Sequence, residues 1–487
     1  MTAIFRDSSG HAQDKIYHSI RRFAFAVLTA LVVALAYHSV LHLVGLRYPW
    51  DTFLFNPDFR FSDWYTSVFY ADTGSPYHDT GLKDFPAGYR TSAYFPFAEF
   101  ALYWAGRVSP GASLALFAAV FAVLFGTGLW LFWRNYFEPR HERLRLADQR
   151  AILLWLFVIV STSYPVWFGF DRGNIDLWIG GLCLIYLAEL NRKRSGIGAI
   201  ALGCAIALKG YPLALVVLGL SQRKFFETGL ALLIAAGLTL VGLEFFSGGI
   251  IHNWQGFRAG QSEFYNLYVV GSWSPNGTSD PYSGFKALMW ILRHAYGDFL
   301  TWHAARTGAP LDSNITSAFL NHIPNGNMAE QQRRVFAYGY QALTTLFAVA
   351  TSIFVLFVPA PLWRHVTAAC LMMILYPHVA GDYKLIVLVP AVFVILSDAS
   401  AEKSQIRAIW LLALLLVPKS YLYLYGKSIS MLVNPMLLVA LWWVTINDRS
   451  GWRAGWLQLV SLATRSPRYP NQQRDGIFAG PRQFRVD

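Results

Sequence analysis

Asp171, Arg172, Asn174, Asp176 and Lys209 stand within or beside apolar sequence, in the stretches YPVWFGFDRGNIDLW and ALKGYP. In a bilayer such ionisable side chains are costly unless they meet a partner or a wet cavity, so each is a candidate for function. Between the two apolar runs lies NRKRSG, which reads as a cytoplasmic loop under the positive-inside rule. The chain then dips in and out, and DRGNID and LKGYP finish on the same, opposite side. Two polar clusters facing one another across one compartment outline a site. Asp63, in FSDWY, falls on that side, as do His378, Asp382 and Lys384 in YPHVAGDYK. Each has a structural alternative. Asp63 shares its loop with Asp51, Asp58, Asp72, Asp79 and Asp84 and could cap a turn or helix. Arg172 could brace two helices by pairing with Asp171 or Asp176. A lone histidine in such a loop is more often structural.

The elements that must position these residues are membrane helices. Of 487 residues 55% are hydrophobic and only 14% charged, against the ~25% usual for a soluble domain. Mean hydropathy is +0.36. The net charge of +12 comes from short basic clusters between apolar runs, a pattern of membrane anchors and not of nucleic-acid binding. Cys183, Cys204 and Cys370 all fall in apolar runs and read as small core residues, not as a disulfide framework or zinc site.

In chain order, residues 1–22 are basic and cytoplasmic, and 23–46 form an uncleaved first span. A long aromatic loop, 47–94, follows on the outer side. Residues 94–107 are short and amphipathic and predict a helix along the outer interface. The span 111–133 ends in Arg134, Arg140, Arg143, Arg145 and Arg150, which mark the inside. Residues 151–168 lead out, 175–190 lead back, and Lys209-Gly210-Tyr211-Pro212 favours a break within 196–220. Residues 228–246 lead out again and complete a first module, 23–246. A second large outer segment, 247–334, is expected to be soluble and extracytoplasmic. A C-terminal module, 335–446, holds the remaining spans, and the basic tail 447–487 is expected to be cytoplasmic and loosely ordered. The fold expected is all-α and polytopic, with about twelve transmembrane segments and two large extracytoplasmic loops.

The order SDWY, GSPY and then a Tyr-x-Pro element (YFP) resembles the opening of GT-C glycosyltransferases, most nearly glycosyltransferase family 87, the α-mannosyltransferase group of phosphatidylinositol mannoside synthesis. DRGN at 171–174 and KGYP at 209–212 also resemble elements of the glycosylphosphatidylinositol mannosyltransferases. The likeness covers roughly 50–245, with weaker echoes from Asn276 to Lys286 and in YPHVAGDYKL. It implies an integral membrane enzyme, inverting, that moves mannose or another hexose or pentose from a polyprenyl-phosphate donor to a lipid or cell-envelope glycan. Such chemistry needs a carboxylate to take a proton from the acceptor hydroxyl and cations to hold the leaving phosphate.

The resemblance makes Asp63 the base and gives the phosphate to Arg172, Lys209, Tyr211 and Lys384. Asn174, Asp176, Asn276, Lys286, His378 and Asp382 would contact the rest of the substrates, and His322 is a weaker candidate. Asp63, Asp176 and Asp382 could converge on a divalent metal, but their spacing is not diagnostic; no metal or other cofactor is expected. The partners implied are the lipid-linked donor, the glycolipid or glycan acceptor and the bilayer, and no nucleic acid. The location implied is a bacterial inner (plasma) membrane, with the site extracytoplasmic. AGDYK departs from the tryptophan-rich version of its element, which leaves the donor sugar open. Two other functions fit the same charges: a transporter or flippase for a lipid-linked sugar, and a non-catalytic subunit of an envelope-assembly complex.

Overall fold

The computed structural model describes residues 4–46, 60–78, 92–140, 146–271, 281–307, 330–377, 379–398, 402–419, 423–425 and 427–464. Helices dominate it, and among the described residues the only strands are a small antiparallel hairpin that pairs Tyr423 with Ser428 and Leu424 with Lys427. The all-α expectation holds.

Four helical stretches are long and apolar enough to cross a membrane: Ile20–Leu43, Pro110–Phe137, Phe225–Phe245 and Glu330–Phe357. Two bent pairs raise the number to six. The sequence predicts about twelve. Apolar helices do occupy most of the other expected places, but many are short. The helix Asp176–Glu189 has 14 residues, about 21 Å of rise against a ~30 Å hydrocarbon core. All of them are buried. The helix Leu362–Leu375 is buried from Trp363 onward, as is the 3-10 turn and helix from Leu385 to Leu396. An apolar run serves a protein interior and a lipid face alike, so composition does not separate them.

The first twelve helices carry labels. The first, α1, is Ile4–Leu43; α2 is Ser62–Asp72, α3 Pro96–Gly106 and α4 Pro110–Phe132. Next come α5 (Leu146–Thr162), α6 (Tyr164–Arg172), α7 (Asp176–Glu189) and α8 (Gly196–Leu208). They are followed by α9 (Ala214–Ser221), α10 (Phe225–Phe245), α11 (Gly249–Phe264) and α12 (Pro281–Thr307).

The core is the sandwich of α4 on α7, with α8 and α10 behind it. Glycine makes the close approach possible, as small residues do where lipid gives no hydrophobic drive to helix pairing. A Cβ on Gly181 would fall 2.8 Å from Leu124 Cβ, and one on Gly180 would fall 2.6 Å from Ile386 Cγ1.

Two chain breaks matter for the site. The chain bends by 45° between α5 and α6, where Pro165 follows the first residue of the new helix. Past Leu208, Lys209 is extended (φ −152°, ψ 137°), and Tyr211–Leu213 form a 3-10 turn before α9. The break expected at Lys209-Gly210-Tyr211-Pro212 is present.

The second large outer segment is not a separate soluble body among its described residues. Its α11 packs on α10, and α12 packs on the helix Ser430–Ile446 while exposing Leu288, Leu292, Phe299 and Trp302. The tail also differs from expectation. Arg449–Thr464 is a helix whose Gly451 and Gly455 lie against the carbonyls of Pro359 and Phe357.

The N-termini of α4 and α7 and the C-terminus of α8 lie at one end of the bundle. The basic residues Arg134 and Arg192, Lys193 and Arg194 lie at the other ends of these helices. Close packing of α4 on α7 therefore sets the depth of everything mounted on α7. Gly181→Val overpacks that contact at an expected cost of about 1–3 kcal/mol. The melting temperature of the purified protein is expected to fall by several degrees. It should hold for Gly126→Ala, whose Cβ meets open space.

Candidate active site

Asp63 stands in the first turn of α2, and its neighbour Trp64 sets its place. Trp64 is fully buried, with ring centroids 4.9 Å from Phe117 and 5.6 Å from Trp178, and its Nε1 donates to Ser113 Oγ at 2.9 Å. Phe61, in a left-handed conformation (φ 57°), starts the helix and donates its N–H to Asp171 O at 2.6 Å. The helix is thus pinned to the end of α6, and the next side chain along points at that end.

The end of α6 is built to meet it. Gly173 adopts φ +67°, and its N–H donates to Phe170 O while that of Asn174 donates to Gly169 O, a Schellman-type termination. A Cβ on Gly173 would lie 2.6 Å from Trp64 Cβ. Glycine is needed twice over, for the turn and for the approach of α2. On either side of it, Arg172 Nη2 donates to Asp63 Oδ1 at 3.0 Å and Asn174 Nδ2 to Asp63 Oδ2 at 2.8 Å. Both carboxylate oxygens are therefore engaged.

Asn174 carries the network onward. Its Oδ1 accepts from the Asp176 N–H at 3.0 Å and from Lys209 Nζ at 3.1 Å. Lys209 Nζ also lies 2.9 Å from Asp176 Oδ1, to which the Tyr211 hydroxyl donates at 2.9 Å. Asp176 is fully buried at the N-terminus of α7, where the helix dipole favours a negative charge. Its Oδ2 makes no hydrogen bond. The Lys209 ammonium faces the rings of Tyr94 and Tyr383, 5.2 and 5.9 Å from their centroids. Tyr383 in turn stacks on Phe168. The side chains of Asp63, Arg172 and Lys209 remain 19%, 24% and 20% exposed, so this charged group opens outward.

Six residues singled out from the sequence thus meet in one network: Asp63, Arg172, Asn174, Asp176, Lys209 and Tyr211. Arg172 is bonded to Asp63, a pairing that the sequence did not suggest. Lys384 lies one ring further, 4.9 Å from the centroid of Tyr211, and donates to Val379 O at 3.0 Å. Asp382 turns elsewhere, to Asn434 Nδ2 at 3.2 Å. Lys286 is buried and donates to the carbonyls of Tyr268 and Val269, which makes it a brace for backbone. Asn276, His378 and His322 lie outside the described residues. The three aspartates considered for a metal face different partners, and among the described residues no three His, Cys, Asp or Glu side chains gather as a ligand set. Tyr94 and Tyr383, which cover Lys209, carry no signal beyond their places in YFP and GDYK.

A strap over the site depends on a buried acid that the sequence reading passed over. Residues 92–95 run across Gly210, where a Cβ would touch the Phe95 ring at 2.7 Å. The strap is tied down by Ser92 N–H to Pro76 O, by Tyr77 OH to Tyr94 O and by Gln261 to Ala93 O. The Ser92 hydroxyl also accepts from Tyr94 N–H and donates to Glu99 on α3. Glu99 is fully buried, and its Oε2 has no hydrogen-bond partner. Burial pushes its pKa from 4.5 up to about 8, against the lowering effect of Ser92.

The folded protein therefore keeps a proton that the unfolded chain releases. Stability should fall as pH rises from 4.5 to about 8 and level off above, at a slope of at most about 1.4 kcal/mol per pH unit. Unfolding in detergent, followed across this range for the wild type and Glu99→Gln, checks it: the wild type should lose stability relative to the variant as pH rises, and only in that window.

No curated protein matches the chain. Residues 92–312 match the family model described as glycosyltransferase family 87. The match begins at the strap and takes in Arg172, Asn174, Asp176, Lys209 and Tyr211, while Asp63 precedes it. Over residues 92–312 the chain is similar to glycosyltransferase family 87, a family of GT-C type.

Proposed function

We propose that the protein transfers a sugar from a polyprenyl-phosphate donor to a hydroxyl of a lipid or cell-envelope glycan, with inversion, and that Asp63 is the base. The observation that carries this reading is the Asp63 carboxylate, bonded on both oxygens by Arg172 and Asn174 and joined through Asn174 to Lys209. A base held on both oxygens is oriented toward the side that stays open. In the transfer, the acceptor O–H gives its proton to Asp63 as its oxygen bonds to the anomeric carbon. The bond from that carbon to the phosphate oxygen breaks, and its electron pair leaves with the polyprenyl phosphate. Lys209 and Lys384 neutralise the charge that develops there. Arg172 acts on the base. Asp176 and the Tyr211 hydroxyl hold Lys209 in place until the phosphate arrives.

The site lies at the ends of α4, α7 and α8 remote from the basic residues 134 and 192–194. Under the positive-inside rule those bases are cytoplasmic, which supports a site on the extracytoplasmic face, as in a bacterial inner membrane. The sugar, mannose or another hexose or pentose, is fixed by no residue of the network.

The test uses the purified full chain in nanodiscs with a farnesyl-phosphate mannose donor and a mannoside acceptor. Asp63→Asn should lower turnover at least about a hundredfold, with donor affinity held within about twofold. Normal turnover by this variant would remove Asp63 as base. Movement of the lipid-linked sugar across vesicles without bond formation would replace transfer with transport.

A further inference from the structure

The helix α12 leaves the bundle. Its start packs on the helix Ser430–Ile446, where a Cβ on Gly284 would fall 2.9 Å from Pro435 Cγ and 3.0 Å from Met431 O. Farther along, its partner is the hairpin that precedes that helix. Trp290 Nε1 donates to Tyr425 O at 3.1 Å, Lys427 Nζ lies 5.1 Å from the Trp290 ring centroid, and the Tyr425 hydroxyl donates to Asp298 Oδ2 at 2.7 Å. From Gly284 to Asp298 the contacts thus move from residues 431–435 back to 425. The helix Ser430–Ile446 begins on the site's side of the bundle, with Asn434 bonded to Asp382, and ends where Arg364 donates to Thr445 O at 3.0 Å. Past its first turns, α12 therefore runs beyond the site's end of the bundle.

Two faces of α12 are unlike. Trp290 and His294 turn to the hairpin, with the His294 and Tyr425 ring centroids 5.3 Å apart. Another face carries Leu288, Leu292, Ala295, Phe299 and Trp302, at i, i+4, i+7, i+11 and i+14, a single stripe about 21 Å long. None of these positions holds a charge, and the four large side chains are 41% to 53% exposed. An apolar stripe of this length marks a surface that meets something other than water.

Its neighbours indicate what it meets. The stripe continues backward through Phe285, whose ring centroid is 5.9 Å from that of Phe336. Phe336 stands less than two turns from the outer end of the span Glu330–Phe357, on an exposed apolar face with Leu343 and Leu346. The lipid-facing side of a span and the stripe of α12 are thus joined by a ring-to-ring contact. At its far end the stripe closes with Trp302, over whose ring the Arg306 guanidinium lies 5.3 Å away. A tryptophan and a long cation suit the head-group level of a bilayer.

We propose that α12 is an interfacial helix: it lies along the outer leaflet, with its stripe set into the acyl chains just under the head groups and the hairpin riding on its water side. Its partner is bilayer lipid. A protein seated on the stripe would have to displace lipid from the adjoining face of the span as well. The half-polar composition of α12, which reads as soluble in the sequence, is then that of a helix half in water. The chemistry assigned to Asp63 plays no part in it.

Spin labelling of the full chain in nanodiscs tests this placement. A nitroxide is attached to single added cysteines along residues 288–302, among them Leu292→Cys and Phe299→Cys on the stripe and Thr301→Cys, exposed and turned away from it. The unsubstituted chain, with two of its three cysteines buried, gives the background. The added cysteines at these exposed positions should leave the elution volume in detergent unchanged. A variant that fails this check is replaced by Leu288→Cys or Trp302→Cys on the same face. Collisions with dissolved oxygen, which concentrates in hydrocarbon, should outnumber those with a water-soluble nickel chelate at the stripe positions, and the order should reverse at Thr301→Cys. Oxygen access along the scan should rise and fall with a period of about 3.6 residues. An excess of chelate collisions at Leu292→Cys and Phe299→Cys would place the stripe in water and overturn the proposal. Poor access of both reagents there, the sign of a covering protein segment or of a second chain, overturns it too.

Discussion

The left-handed turn at Gly173 is the constraint on which the site depends. It ends α6 so that Arg172 and Asn174, on either side of it, both reach the carboxylate of Asp63. The same glycine admits Trp64 of α2 at a distance no side chain would allow. One residue therefore sets both the direction of the donors and the distance of the acceptor. Trp64, buried against Phe117 and Trp178, keeps α2 from drifting away from that contact.

Broken helices explain how so many charges sit at the end of an apolar bundle. The network is made at element ends: the start of α2, the end of α6, the start of α7 and the end of α8. Helix ends leave backbone groups unsatisfied, so polar side chains placed there meet partners and helix dipoles instead of hydrocarbon. Asp176 at the N-terminus of α7 and Lys209 past the C-terminus of α8 each gain from their position before they gain from each other. The short helices that reduce the number of full-length spans are thus also the ones that create the site.

This physics also explains what the sequence made legible. Polar residues in apolar runs stand out, so Asp171 to Asp176 and Lys209 could be read, and Gly210 with Pro212 marked the break beside Lys209. Pairing could not be read. The Arg172–Asp63 bond joins residues 109 apart in sequence, and a local partner such as Asp171 was the simpler guess. Nor does a buried lysine announce what it binds: Lys286 holds carbonyls, and Asp382 faces Asn434. Tyr94 and Tyr383 were lost among 25 tyrosines, most of which suit any membrane interface. Glu99 sits beside Pro96 in a short amphipathic helix, where nothing in the pattern separates a buried acid from an exposed one. The helix Arg449–Thr464 was hidden by a basic composition that reads as unstructured.

A network of paired charges is by itself equally the mark of a brace between helices, so its geometry has to decide. A brace gains by being dry and closed, since exposure weakens each ion pair and salt screens it. Here the closed part is Asp176, fully buried. Asp63, Arg172 and Lys209 keep about a fifth of their side-chain surface open. Lys209 has more partners than one charge requires, Asn174 and Asp176 by contact and two tyrosine rings by their faces. A cation held this way can give up one partner to an incoming phosphate while the others keep it in place. Asp63 is held differently: both oxygens accept from fixed donors, which orients the carboxylate. The transfer we propose asks for this pairing: a cation that can exchange one partner beside a carboxylate that is held still. A structural clamp has no use for it.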